Sequence, residues 1–90
     1  MYEIIYTHRY VKLAKRFFKK HPDLLERYRK TLLLLEADPY HKSLRIHKLT
    51  GRLEGIFSVS INMKYRITIE FIIDEKTIIP VSIGSHSEIY

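Results

Sequence analysis

Hydrophobic residues recur along this 90-residue chain with two different periods. Val11, Ala14, Phe17 and Phe18 lie three or four positions apart or side by side, a spacing that places them on one face of a helix. From Ile56 onward the period becomes two, because apolar residues alternate with serine, threonine and other polar residues. The pattern therefore predicts helices followed by a meander of β-strands. Residues 1–6 predict an additional strand that opens the fold.

The helical half of the pattern divides into two helices. Thr7 is a suitable N-cap for the first helix, and His21-Pro22 interrupts it. Pro22 suits the first position of the second helix, which we expect to end near Asp38-Pro39, because a residue before proline is disfavoured in helical geometry. The predicted buried stripe of this second helix consists of Leu24, Leu25, Tyr28, Leu32 and Leu35. The two helices should form a hairpin that covers an apolar sheet.

Residues 39–55 predict a basic connection, because they contain proline, two glycines and several cations. Three strands should follow, with a hairpin turn at Asp74-Glu75-Lys76 between the second and third. Alternation in the third strand predicts Ile79, Val81 and Ile83 on one face. The fold class is therefore α+β in the order β-α-α-β-β-β, a two-helix hairpin on a mostly antiparallel four-stranded sheet, with residues 1–90 forming a single domain.

The composition of the chain restricts the kinds of partner and the cellular location that we expect. The net charge is +6, but residues 1–52 carry +8 and residues 53–90 carry −2, so the basic half suits a polyanion or an acidic partner. The chain has no cysteine, which excludes disulfides and thiolate metal sites and favours a reducing cytoplasm. No apolar run approaches the ~20 residues of a membrane span, and the first residues do not resemble an export signal.

The polar face of the predicted sheet carries Ser58, Ser60, Arg66, Thr68, Glu70 and Ser82. The tail containing His86 and the connection containing His47 can both border this face. Metal-free RNA cleavage needs a base for the 2′-hydroxyl, an acid for the leaving 5′-oxygen and a cation beside the phosphate. The candidate catalytic residues are His86, His47 and Arg66. The candidate RNA-binding residues are Lys42, Arg45, Lys48, Lys64, Tyr65 and Tyr90.

Each candidate has a structural alternative. His86 can belong to an inert polar tail, His47 can bond the backbone, and Arg66 can pair with Glu70 on its own strand face. We interpret His8, His21 and His41 as surface groups and Phe57 as a core residue. No cofactor is predicted, and a metal site is disfavoured because His41 and His47 lack a clustered carboxylate.

Four segments occur in a characteristic order: Leu44-Arg45-Ile46-His47-Lys48-Leu49-Thr50-Gly51, Gly55-Ile56-Phe57-Ser58-Val59-Ser60-Ile61, Tyr65-Arg66-Ile67, and Ile83-Gly84-Ser85-His86-Ser87-Glu88-Ile89-Tyr90. With the opening strand and the basic helical hairpin, this order resembles the RelE/ParE toxin superfamily over essentially the whole chain. It is most similar to RelE-like messenger-RNA interferases of the YafQ and YoeB type.

The resemblance implies a toxin that cleaves messages in the ribosomal A site and is blocked by a cognate antitoxin. Operator DNA is a partner to consider only for the complex of this toxin with its antitoxin. It implies proton transfer by His86, phosphate stabilisation by Arg66, a catalytic position for His47 and message positioning by Tyr90. Relatives commonly have basic residues where this chain has Ser60 and Ser82. These two serines leave open a toxin homologue with impaired activity that acts as a co-repressor. A second, separate alternative is a ParE-like gyrase inhibitor that is not a nuclease.

Overall fold

The computed structural model of the chain describes residues 1–51 and 55–89. Five strands form one sheet in the order β1-β5-β4-β3-β2. These strands are β1 (Glu3–Ile4), β2 (His47–Lys48), β3 (Ile56–Ser60), β4 (Tyr65–Ile72) and β5 (Thr77–Ser85). The β1 strand pairs in parallel with β5, and the other neighbouring strands are antiparallel. The predicted α+β class is confirmed.

Two long helices cover one face of this sheet. Helix α1 (His8–Lys20) begins at Thr7, whose side chain accepts a hydrogen bond from the Tyr10 amide as predicted. A 3-10 turn (Pro22–Leu24) leads into α2 (Leu25–Ala37), which ends before Pro39. Leu24, Tyr28 and Leu35 are buried, but Leu25 is exposed, so its predicted place in the buried stripe is wrong. The 3-10 turn changes the helical phase at this point.

The core lies between the helices and the sheet. Its fully buried side chains include Tyr10, Leu35, Val59, Ile67 and Ile69. The hydroxyls of Tyr10 and Tyr28 form a buried hydrogen bond of 2.8 Å between α1 and α2. Burial raises the pKa of both phenols, which satisfy each other in the apolar interior.

The prediction of four strands is wrong in number, because β2 lies within the predicted basic connection. His47 and Lys48 form a short edge strand that pairs with Ser58 and Phe57 of β3. Two residues are too few to show an alternating pattern, so this strand depends on its partner for its geometry. A further short 3-10 turn (Lys42–Leu44) precedes it.

The predicted phase of β5 is correct at Ser82 and Ile83 but wrong in the first half of the strand. The register between β4 and β5 shifts at Thr68/Ile69, so that Ile69 pairs with Pro80 whereas Thr68 pairs with Ser82. This irregularity is a β-bulge with Val81 as the extra residue. Ile78 and Pro80 are consequently the buried residues, rather than Ile79 and Val81.

A third helix, α3 (His86–Ile89), follows β5 directly. The tail that contains His86 is therefore a short helix at the end of the sheet. Among the helices that the structure describes, none is long and apolar enough to cross a membrane.

Candidate active site

A row of polar residues crosses four strands of the sheet. His47 pairs with Ser58, Ser58 with Thr68, and Thr68 with Ser82, so the four residues share one face. Val59 and Ile67, the neighbours of this row along the strands, are fully buried in the core. Because side chains alternate along a strand, the row lies on the face opposite the helices. We call it the polar row.

Arg66 lies beside the polar row and covers its centre. It pairs across the sheet with Ser60 on one side and Gly84 on the other. Its Nε donates to Ser58 Oγ at 2.6 Å, and its Nη2 donates to the carbonyl oxygen of Arg45 at 3.1 Å. Both acceptors are neutral oxygens, so they orient the guanidinium without neutralising its charge. This arrangement leaves a positive charge fixed at the surface of the sheet.

His47 reaches the same carbonyl group. Its Nδ1 lies 3.3 Å from the carbonyl oxygen of Arg45. A carbonyl oxygen only accepts, so Nδ1 is the donor in this hydrogen bond, and the tautomer that it selects has its lone pair on Nε2. The predicted possibility that His47 bonds the backbone is correct in geometry. The same bond brings its imidazole next to the Arg66 guanidinium.

The shared carbonyl belongs to a residue with unusual backbone geometry. Arg45 ends the second 3-10 turn in the left-handed conformation, with φ of 48°. This conformation turns its carbonyl oxygen toward both Arg66 and His47. Sequence reasoning selected Arg45 for its side-chain charge and missed the role of its backbone. Left-handed geometry at a non-glycine residue leaves no clear signal in a single sequence.

His86 is the first residue of α3 and is exposed at the end of β5. Gly84, two residues earlier, is paired with Arg66 across the sheet, so the tail begins next to the polar row. Ser85 and Glu88 bracket His86 in a reciprocal pair of hydrogen bonds. The Ser85 amide donates to Glu88 Oε1 at 2.8 Å, and the Glu88 amide donates to Ser85 Oγ at 3.3 Å.

The two serines at positions where basic residues were expected already have hydrogen-bond partners. Ser82 Oγ bonds Thr68 Oγ1, and Ser60 Oγ donates to the carbonyl oxygen of Asn62 at 2.6 Å. Neither hydroxyl supplies charge to the face. The positive charge at the centre of the polar row therefore comes from Arg66.

The remaining predicted residues occupy two other regions. Tyr65 lies on the helical face, with its ring centroid 5.2 Å from that of Phe17 and 4.7 Å from that of His21. Lys64 covers the Tyr65 ring at 5.3 Å. Lys48 pairs with Phe57 and lies over that ring, so it is on the opposite face from His47.

Lys42 begins the second 3-10 turn and Arg45 follows its last residue, and both residues are exposed. Tyr90 lies outside the described residues. Among residues 1–51 and 55–89, no group of three or more histidine, aspartate or glutamate side chains could hold a metal ion. The structure thus places His47 and Arg66 together, with the His86 helix beginning nearby, and places Tyr65 and Lys48 on the other face.

A helical hairpin on one face of a mixed sheet is the fold of the small RelE-like toxins. YafQ from E. coli strain BL21(DE3) has this fold, with a TM-score of 0.81, 16% identity, and coverage of 100% of this chain and 99% of that chain. A metal-bound toxin from Helicobacter pylori has a TM-score of 0.79 and 24% identity over 100% of both chains.

The YoeB-YefM complex from Staphylococcus aureus provides a third match, with a TM-score of 0.71, 18% identity, and coverage of 96% of this chain and 98% of that chain. Neither a family model nor a curated protein matches the sequence. The predicted resemblance to YafQ and YoeB toxins is thereby confirmed in the fold.

Proposed function

We propose that this protein is the toxin of a type II toxin-antitoxin system and that it cleaves messenger RNA on the ribosome. The observation that carries the proposal is the convergence of Arg66 and His47 on the Arg45 carbonyl oxygen. The fold shared with YafQ and YoeB toxins supports it. A fixed cation beside an imidazole supplies two of the three groups that metal-free RNA cleavage needs, a cation for the phosphate and a group for proton transfer.

In the proposed reaction the 2′-oxygen of one nucleotide attacks the adjacent phosphorus. His47 accepts the 2′-hydroxyl proton through Nε2, and the bond from phosphorus to the 5′-oxygen breaks as His86 donates a proton to that oxygen. The products are a 2′,3′-cyclic phosphate and a 5′-hydroxyl. Arg66 stabilises the negative charge that develops on the phosphoryl oxygens. No cofactor enters the reaction.

The proposed partners follow from the same function. A cognate antitoxin binds and blocks the toxin in this proposal. YoeB, a protein of the same fold, forms a heterotetrameric toxin-antitoxin complex with YefM. The ribosomal A site presents the message, and operator DNA is bound only together with the antitoxin. The exposed cations Lys42 and Arg45 would contact phosphates that flank the cleaved bond. Cytoplasmic localisation is part of the proposal.

The test is controlled expression followed by mapping of new 5′ ends on cellular messages. The wild type should arrest growth and produce such ends, whereas His86→Ala, His47→Ala and Arg66→Ala should not. His8→Ala is the matched control, because His8 is exposed at the start of α1, on the helical side of the sheet. Growth arrest with intact messages would refute the nuclease. A DNA-damage response in that case would identify gyrase inhibition.

A second candidate is a toxin homologue with impaired activity that serves as a co-repressor. Ser60 and Ser82 favour this candidate, because both side chains are neutral and their hydroxyls are already hydrogen-bonded within the protein. Losing a phosphate-binding charge of this kind costs about 10²–10³ in rate. Restoring charge with Ser82→Arg should then raise cleavage, and operator binding without toxicity would distinguish the co-repressor from an active toxin.

A further inference from the structure

The tail of the chain contains a reciprocal capping arrangement around His86. Ser85 precedes α3 and Glu88 is its third residue, and each backbone amide donates to the side chain of the other. This geometry is a capping box, in which two amides at a helix start are satisfied by side chains. A helix of four residues is far shorter than one that is stable alone. Its order therefore depends on such local contacts.

Gly84 leaves the space into which Glu88 folds. A Cβ atom at position 84 would lie 3.3 Å from both Glu88 Cβ and Glu88 Oε1. Gly84 is also the residue that pairs with Arg66. The same glycine thus pairs with the Arg66 strand position and accommodates the glutamate that caps the His86 helix.

The end of α1 adds a second contribution to this arrangement. Lys20 and His21 both act electrostatically on the Glu88 carboxylate. The hydrogen bond from the Ser85 amide is the largest cause of the lowered pKa of Glu88, followed by the Ser85 hydroxyl. Glu88 is therefore oriented by Ser85 at short range and by two cationic or titratable groups of α1 at longer range.

We propose that Glu88 is a positioning residue that fixes the backbone of His86, two residues beyond the Gly84–Arg66 pair, with Ser85 as its capping partner and Gly84 as the space it requires. The proposal rests on the proposed nuclease function for its kinetic consequence. The structural part of the proposal, that Glu88 orders the backbone around His86, concerns the free protein and does not depend on nuclease activity. His86 lies between the two members of the capping box, so loss of the box releases the backbone that carries the imidazole.

The test compares Glu88→Ala with Glu88→Gln. Glutamine keeps an oxygen in the Oε1 position, so it can still accept from the Ser85 amide, whereas alanine cannot. Hydrogen exchange of the Ser85 amide can be measured by NMR on the free protein. It should accelerate about fivefold in Glu88→Ala, the factor that corresponds to the loss of stability when a typical helix cap is removed. Glu88→Gln should keep most of the protection. Ser85→Thr should be tolerated and Ser85→Ala should not.

In message cleavage on ribosomes, kcat should fall about five- to tenfold in Glu88→Ala with KM within twofold, and Glu88→Gln should recover most of kcat. Glu75→Ala is the control, because it removes the same charge from the exposed β4–β5 turn. Unchanged Ser85 exchange in Glu88→Ala, or Glu88→Gln as impaired as Glu88→Ala, would overturn the proposal. If the wild type cleaves nothing, the nuclease proposal fails, and the exchange experiment still decides the role of Glu88.

Discussion

Arg66 and His47 lie on two different strands, and both side chains hydrogen-bond to the same atom, the carbonyl oxygen of Arg45. Arg66 Nη2 donates to it at 3.1 Å from β4, and His47 Nδ1 lies 3.3 Å from it at the edge of the sheet. A single peptide group therefore sets the spacing between the cation and the imidazole. This shared acceptor makes the two side chains one unit, so changes at either should affect the other.

Replacing Arg66 with lysine should remove most of the cleavage activity. Lysine keeps the charge but lacks the planar fork, so it cannot donate to Ser58 Oγ and the Arg45 carbonyl oxygen together. Single-turnover cleavage should fall about 10²–10³-fold, the range for loss of a group that stabilises developing charge. Arg29→Lys on the exposed side of α2 should stay within twofold.

Ser58→Ala completes this comparison, because it keeps the Arg66 charge and removes one of its acceptors. Ser58 is fully buried, and its hydroxyl accepts from Nε at 2.6 Å. We expect about a tenfold loss of rate, smaller than for Arg66→Lys. Equal activity of Ser58→Ala and wild type would show that the hydroxyl does not orient the guanidinium.

The roles proposed for the two histidines can be separated with a modified substrate. An RNA with sulfur in place of the leaving 5′-oxygen needs no general acid, because a thiolate is a good leaving group. His86→Ala should cleave this substrate within about tenfold of the wild-type rate, whereas His47→Ala should remain impaired by about 10²–10⁴-fold. If His47→Ala cleaves this substrate at nearly the wild-type rate and His86→Ala does not, then His47 is the acid and His86 is the base.

Sequence reasoning identified the regions where periodicity is strong. The helices around Phe17 and Tyr28 and the strands around Val59 and Ile67 were predictable, because packing against one core imposes a regular spacing on them. The order of β3, β4 and β5 followed from the short turns between them. Arg66 and His47 were predicted as site candidates because their chemistry is distinctive and their positions flank the same polar face, and the structure brings them together at the Arg45 carbonyl oxygen.

The features that the sequence did not predict are irregularities of the backbone. The bulge at Val81 shifts the phase of β5, and strict alternation therefore assigned Ile78 and Pro80 to the wrong face. The left-handed geometry of Arg45 depends on its tertiary surroundings. The capping box was also not predicted, although its signal is present in the sequence. Ser85 and Glu88 have the Ser-x-x-Glu spacing of this motif.

The buried hydroxyl pair of Tyr10 and Tyr28 provides a prediction about stability. Tyr10→Phe leaves the Tyr28 hydroxyl buried without its 2.8 Å partner and should destabilise the fold by about 1–2 kcal/mol. The double variant with Tyr28→Phe should cost less than the sum of the single variants, because it leaves no unsatisfied hydroxyl. Urea unfolding of the four proteins measures this coupling. Strict additivity would contradict it.

The order of α3 should depend on pH through Glu88. Hydrogen bonds from Ser85 lower the pKa of Glu88 below its ordinary value of 4.5, with Lys20 and His21 adding to the effect. The stabilisation is therefore fully present above pH 4.5 and is lost as pH falls through the lower folded-state value. The Ser85 amide resonance should move with a midpoint below 4.5 in the wild type. In Glu88→Gln this step should be absent, and a midpoint at or above the ordinary value would contradict the capping geometry.

Arg45→Gly separates the backbone of Arg45 from its side chain. Glycine adopts a φ of 48° without the steric cost that other residues have, although it loses more entropy on folding. We expect a net stabilisation of about 0.5–1 kcal/mol, which raises Tm by about 2–8 °C in a domain of this size. The carbonyl oxygen remains, so kcat should stay within about threefold while RNA binding becomes less sensitive to salt. A large loss of kcat with normal binding would show that the guanidinium of Arg45, rather than its peptide carbonyl, contributes to the reaction.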